Sequence, residues 1–380
     1  MKKHKDKTGE MFFRIVNLLA LAAVVISCAA PAATRVKTAL TSATDTPSDN
    51  AAVTATTPTA ARTQTAPPAI FQSQYLNPLD TPRAYIQEPC QYLRARWNPW
   101  NSEPGTVVMI IMLHGVRGST VENPEDVEAD ELKRIMKQLK AQLFEAINTE
   151  QFLAFMERNV KIPPRSALIV RDGRYGKKDF YTNFRQYWYA WKWPVVNGWP
   201  SQEDTPEILW RENILMEHEG FVDHQAQGMQ VGAYLSEDSS KVIIARELQG
   251  PLDMFAQRFA KTPLAFVWPG GGFGQRPVEI ARRLGYQLGF TLNSRGPVMY
   301  NWVPQADEAD KKRPSYIPEG AIKDPLMTLP RYWPHQVLSS IDTVRIMGKD
   351  ARIYAEVHKA AELKYYKIIC EPAYGPIPAP

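Results

Sequence analysis

Four places in the chain put chemistry-bearing side chains directly after apolar runs. His114 follows TVVMIIML, Arg171-Asp172-Gly173 follows ALIV, Asp223-His224 follows Phe221-Val222, and Trp268-Pro269-Gly270-Gly271-Gly272 follows LAFV. An acid at the mouth of a buried strand is where a hydrolase places a metal ligand or a base. Arg171, directly beside that acid, cannot be deprotonated and so cannot take a proton from water. The glycine-rich stretch at 270–274 lacks the Lys-Ser/Thr of a phosphate-binding loop. It reads either as a turn that lets backbone approach a ligand or as a plain tight turn.

The elements that carry these residues alternate. Residues 106–113 and 166–170 are short, continuous apolar runs that suit strands buried on both faces, as in a parallel sheet. Helical spacing covers 130–144 and 150–160, with Pro163-Pro164 as a stop. Helix-like stretches at 180–190, 207–217, 241–259 and 277–284 then alternate with strand-like ones at 195–196, 221–222, 264–267 and 288–292. Repeated βα units of this size predict an α/β fold, and the short strands favour a closed or nearly closed barrel over an open doubly wound sheet. A terminal helix is predicted over 349–365, followed by a Pro-rich tail.

The first 27 residues pair a basic start with an apolar run from 15 to 26 that is too short to span a membrane, the pattern of a secretory signal. Val25-Ile26-Ser27-Cys28 resembles a bacterial lipobox, which implies lipidation at Cys28 and an exported, membrane-anchored lipoprotein. Residues 1–27 contain five basic and two acidic side chains, so their removal lowers the net charge from +5 to +2. That near balance gives no support for a nucleic-acid partner. The next segment, 28–69, is rich in Ala, Thr and Pro and reads as a disordered tether. Beyond a lead-in at 70–105, the folded domain is expected over 106–348, with a C-terminal helix and tail at 349–380. Cys90 and Cys370 stand near its two ends and are either a disulfide clasp or two separate buried thiols.

The order of the motifs resembles the NodB-homology polysaccharide deacetylases, carbohydrate esterase family four, across roughly residues 106–334. The pieces that carry the resemblance are TEQFLAFMERNVKIPPRSALIVRDGRYGKKDFYTNF at 149–184, GFVDHQAQGMQ at 220–230 and LAFVWPGGGFGQRPVEIARRLGYQLGFT at 264–291. The resemblance implies an irregular (β/α) barrel of NodB-homology type and a glycan or peptidoglycan-like polysaccharide as partner. It also implies a divalent metal, usually zinc, bound by Asp172 and His224. At the two remaining positions this chain departs from the pattern. Arg171 stands where the catalytic base is expected, and Gly228 stands at the third ligand position.

Catalytic zinc normally takes three protein ligands and keeps an open position. Asp172 and His224 supply two, unless Asp223, His218, Glu217 or Glu219 substitutes. Arg171 is expected to pair with Asp172. His114, Trp268, Pro269 and Gly270 are the expected substrate pocket, and the Trp/Tyr cluster at 187–199 offers platforms for sugar rings. The first functional expectation is a deacetylase relative that binds acetylated cell-envelope glycans, with metal-dependent hydrolysis lost or impaired. The alternatives are an active N/O-deacetylase with rearranged ligands and a non-enzymatic envelope scaffold.

Overall fold

VVMIIML at 107–113 has no side chain that needs a hydrogen-bond partner, and all seven residues are buried. A computed structural model describes residues 70–118, 120–172, 178–311 and 317–379. In chain order the elements begin with β1 (Asp80–Arg83), α1 (Pro89–Arg96), β2 (Val107–Leu113), β3 (Val116–Arg117), β4 (Val127–Glu128), α2 (Ala129–Ala141) and β5 (Glu145–Ala146). There follow α3 (Thr149–Arg158), β6 (Arg165–Asp172), α4 (Lys178–Trp191), β7 (Val195–Trp199), α5 (Glu207–His218), β8 (Val222–Ala226), α6 (Lys241–Arg258) and β9 (Ala265–Val267). The chain ends with α7 (Gln275–Arg283), β10 (Leu288–Phe290), β11 (Val298–Met299), β12 (Val303–Ala306), α8 (Pro334–Tyr365) and α9 (Glu371–Tyr374).

The main sheet runs in the order β10-β9-β8-β7-β6-β2-β11, with β5 beside the start of β6. Its strands are parallel except β11, which is antiparallel to β2. Each parallel step crosses over through a helix, as the alternating pattern requires. One face packs on α2, α4 and α8 through a cluster that includes Met109, Ile111, Ile169, Leu132, Phe184 and Val344. The opposite face gathers Ile110, Leu168, Val170, Val196, Val267 and Phe290 around α3. The start of α3 is fixed by a reciprocal cap in which Asn148 accepts from the Gln151 amide and Gln151 accepts from the Asn148 amide.

Residues 328–333 hydrogen-bond both β10 and β2 without forming a regular strand. Leu329 donates to the Gly289 carbonyl at 2.8 Å and accepts from Thr291 at 3.0 Å, which ties it to β10. Tyr332 donates to Ile110 at 2.8 Å and accepts from Met112 at 2.9 Å, which ties it to β2. Short single bridges of this kind satisfy edge groups that would otherwise face solvent or core unpaired.

Two boundaries differ from the sequence expectation. The terminal helix begins at Pro334 rather than at 349, so nothing breaks the chain at 348. Pro334 occupies the first turn, where a missing amide costs nothing, and Gly348 permits contact with the backbone of Gly105. The tail also keeps regular structure, through a π turn at Tyr366–Cys370 and then α9. Cys90 and Cys370 are disulfide-bonded with Cα atoms 5.2 Å apart, in a small cluster with Leu93 and Tyr366. The leader, Cys28, the tether and Gly173 lie outside the described residues.

The disulfide spans 280 residues, so it removes much unfolded-chain freedom. Replacing Cys90 with Ser is expected to lower unfolding stability by about 2–5 kcal/mol, read from the urea midpoint of the oxidised protein. A midpoint equal to the wild type's would show that the clasp does not restrain the unfolded chain.

Candidate functional site

Register decides which of the expected site residues meet. Arg171 pairs with Asn197, and Asn197 pairs with His224, so these three lie in a row across β6, β7 and β8. Asp172, Gly198 and Gln225 form the next row. Adjacent positions on a strand point to opposite faces, so the two rows look in opposite directions.

The first row faces α4 and α5. Arg171 donates to Asn197 Oδ1 at 3.1 Å and lies with its guanidinium carbon 5.5 Å from the centre of the Tyr181 ring. Burial pushes the Tyr181 hydroxyl above its ordinary pKa, with Arg171 pulling the other way. His224 is fully buried, with Nδ1 2.8 Å from Glu217 Oε2 and Nε2 2.9 Å from the Asn213 side-chain amide. Burial holds the imidazole below its usual pKa, against Glu217. Burial alone would raise Glu217, but the hydrogen bond from His224 and the charge of Lys261 outweigh it and hold the carboxyl at about 2. Lys261 Nζ joins Glu217 and Asp223 at 2.6 and 2.8 Å.

This arrangement departs from the expected pair of ligands. The sequence pattern ends a strand at Val222 and puts Asp223 and His224 beyond it, but the strand continues to Ala226. Its polar residues are tolerated because α5 and Lys261 supply their partners. His224 therefore sits inside the strand with both ring nitrogens engaged, on the face away from Asp172. Gly228 has φ +94°, and a Cβ there would meet Glu247 Oε2 at 2.8 Å. That carboxylate is itself committed to the amides of Met229 and Gln230, so a histidine does not fit at 228 without rearrangement.

The second row faces the opposite core, and there Asp172 has an arginine partner other than the one expected. Arg331, from the 328–333 segment, donates from Nη2 to Asp172 Oδ2 at 2.8 Å and from Nε to the Thr291 carbonyl at 2.6 Å. Arg331 is fully buried and Asp172 is 4% exposed. A buried carboxylate is tolerated only with such a partner. The pair is incomplete among the described residues, where Asp172 Oδ1 and Arg331 Nη1 have no hydrogen-bond partner. The sequence pattern does not single out Arg331. The one available signal was an arginine inside the otherwise apolar run MTLPRYW at 327–333.

His114 stands beside this pair. Leu113 is in register with Arg171, so the next residue along β2 comes level with Asp172, at roughly the 5 Å spacing of neighbouring strands. The β3/β4 pair folds the following loop back over the strand end, and His114 donates its amide to the Glu125 carbonyl at 2.9 Å. His114 Nδ1 lies 3.0 Å from Asp126 Oδ1, and Arg117 donates to the other oxygen. Burial would raise the pKa of Asp126, but the hydrogen bonds from His114 and Arg117 hold it below its ordinary value. Glu125 goes the other way, raised first by burial and then by the charge of Asp172, with His114 and Arg331 opposing.

The remaining expected pocket residues divide. Trp268 is buried, donates to the Met327 carbonyl at 2.8 Å and packs on Phe266. Pro269 is buried as well, and only Gly270 is exposed, at φ +54° against the Tyr234 ring. Trp193, Trp199 and Tyr187 belong to the core, while Tyr189 is exposed. Among the described residues no group of three or more His, Cys, Asp or Glu side chains is placed to hold a metal ion. The donor set implied by the resemblance does not fit a divalent metal, because Asp172 is paired with a cation and His224 faces away.

No protein-family model matches the sequence, and no curated protein matches it. Several solved deacetylases are similar in structure at low identity. Streptococcus pyogenes deacetylase PplD in complex with acetate is 15% identical at a TM-score of 0.49, over 63% of this chain and 99% of that one. A de-N-acetylase from Aggregatibacter actinomycetemcomitans is 14% identical at 0.49, over 63% and 99%. BC0361, a polysaccharide deacetylase from Bacillus cereus, is 15% identical at 0.46, over 62% and 69%.

Two measurements check this geometry. Arg331→Met leaves a buried carboxylate without its cation and is expected to cost about 3–5 kcal/mol, most of which Asp172→Leu in the same chain restores. Additive losses would show that the two side chains do not act as a pair. Glu217 is held low in the folded state, so its contribution is present above its unfolded pKa and disappears as pH falls from about 5 to 2. The lost stability is about 3 kcal/mol, and Glu217→Gln is expected to flatten that acid limb in denaturation curves.

Proposed function

We propose that this chain is an exported, lipid-anchored relative of the polysaccharide deacetylases that binds acetylated cell-envelope glycans and has lost the family's metal-dependent hydrolysis. The observation that carries the reading is the buried Asp172–Arg331 pair. A dication on Asp172 would stand near a fixed guanidinium, a repulsion of several kcal/mol even at an effective dielectric near 20. Arg171, at the expected base position, is turned into the α4 side and has no means of accepting a proton.

The glycan assignment rests on the motif order and on His114 at the strand mouth. The barrel reading draws on the 328–333 segment, which hydrogen-bonds β10 on one side and β2 on the other. Export and anchoring rest on the leader and Cys28, and a disulfide suits an oxidising compartment. No helix among the described residues is long and apolar enough to cross a membrane.

The test combines metal analysis with calorimetry. Protein purified without chelator is expected to carry far less than one zinc per chain and to bind an N-acetylglucosamine pentamer. Arg171→Asp/Gly228→His is expected to gain no metal, since the new side chains do not bring His224 to the face of Asp172. Stoichiometric zinc, with acetate release from the pentamer that Asp172→Ala abolishes, would overturn the reading.

A further inference from the structure

We propose that a pocket at the opposite end of β2 from His114 binds a phosphate group through Arg165, Arg345, Lys349 and Arg352. The length of the strand puts this pocket about 20 Å from the strand mouth, so the inference does not rest on the glycan reading.

The walls are the first residues of two neighbouring strands and one face of a helix. Val107 and Arg165 are in register at the start of β2 and β6, the turn at 103–106 leads into β2, and α8 lies against both. Gly348 and Gly105 let helix and turn meet without an intervening side chain, since a Cβ on Gly348 would stand 2.8 Å from the Gly105 carbonyl. The cavity has a volume of about 170 Å³. A cavity of about 150 Å³ holds a molecule the size of benzene, so this one takes a single small group.

Four cations line it, Arg165, Arg345, Lys349 and Arg352, against one acid, Glu103, which leaves a surplus of three positive charges. Three of the four stand at i, i+4 and i+7 on α8, where like charges repel. Acids nearby offset little of this. Arg352 meets Glu103 at 3.1 Å, but the two side chains are 61% and 62% exposed, and such a pair is weak in water. Arg345 Nε lies 3.5 Å from Asp342 Oδ1 and is buried without a hydrogen-bond partner among the described residues. Lys349 is exposed, and among the described residues no acid pairs with it. Arg165 is fixed at the wall, where Nη1 donates to the Gln142 carbonyl at 2.8 Å.

The charge and the donors select the ligand class. Guanidinium forks match the oxygens of carboxylate and phosphate. A carboxylate brings one charge and two oxygens and leaves most of the surplus unmatched. A terminal phosphate brings about two charges and three oxygens, which suits a concave wall of one sign. That group is carried both by soluble phosphates and by phosphate-headed lipids.

The full chain is titrated with inorganic phosphate by calorimetry at low ionic strength. One saturable site per chain is expected, weakened by added salt. Lys349→Gln is expected to raise Kd by about 5-fold to 20-fold, and Arg345→Gln/Lys349→Gln by about 50-fold. Glu103→Gln removes the competing acid and is expected to lower Kd by about 2-fold to 5-fold. Lys241→Gln, the same change of charge at an exposed position on α6, is expected to leave Kd unchanged. Absence of a saturable site, an unchanged Kd in Arg345→Gln/Lys349→Gln that is folded by circular dichroism, or an equal loss in Lys241→Gln each overturns the inference. Sedimentation with phosphatidylcholine vesicles, with and without phosphatidic acid, then separates the two sources. Extra sedimentation with phosphatidic acid that inorganic phosphate displaces and the double variant loses assigns the group to a lipid headgroup. Phosphate binding without that increment assigns it to a soluble phosphate. An increment without phosphate binding is diffuse surface attraction and overturns the pocket as a phosphate site.

Discussion

A carboxylate on the core face of a sheet sets the terms for everything around it. Asp172 lies one step beyond Val170 on the same side of β6, and a buried carboxylate there needs a cationic or hydrogen-bonding partner. Arg331 settles the matter by supplying a guanidinium from the segment that hydrogen-bonds β10 and β2. The arginine in turn needs its own backbone held, and it donates its amide to the Asn293 carbonyl at 3.0 Å. Position, charge and edge satisfaction therefore converge on one side chain.

The same alternation that aims Asp172 inward aims Arg171 and His224 outward. What resembles one catalytic motif in the linear sequence becomes two separate polar systems in space. The outward system, built from Arg171, Asn197, His224 and Glu217, ties β6, β7 and β8 to α4 and α5. Its Arg171, Asn197 and His224 side chains are buried, while Glu217 is 19% exposed. The inward system opens toward His114, where the strand ends and the loop to β4 begins.

Much of the fold was readable because it depends on local pattern. The apolar runs at 107–113 and 167–170 have no partner requirement beyond burial, and α3 carries its cap in its own first turn. Disagreement arose where distant residues supplied what the local sequence lacked. β8 runs through Asp223 and His224 because Glu217 and Lys261 satisfy them, which no window around 223 reveals. The start of α8 was hidden by the apolar run that precedes it, and Arg331 was hidden because its partner is 159 residues away. His114 was legible as a strand-end residue, but Asp126 becomes its partner only through the β3/β4 pairing.

That separation between Asp172 and Arg331 also bears on the order in which the molecule comes together. Contacts between segments so far apart close a large loop, and their entropy cost falls before any reward. Strand β6 can assemble with β2 and β7 while its terminal carboxylate is still hydrated. The arginine arrives only when β10 and the 328–333 segment have found their places. During synthesis from the N-terminus, the polar heart of the domain is thus among its latest features, and it is dried only by about the last quarter of the chain.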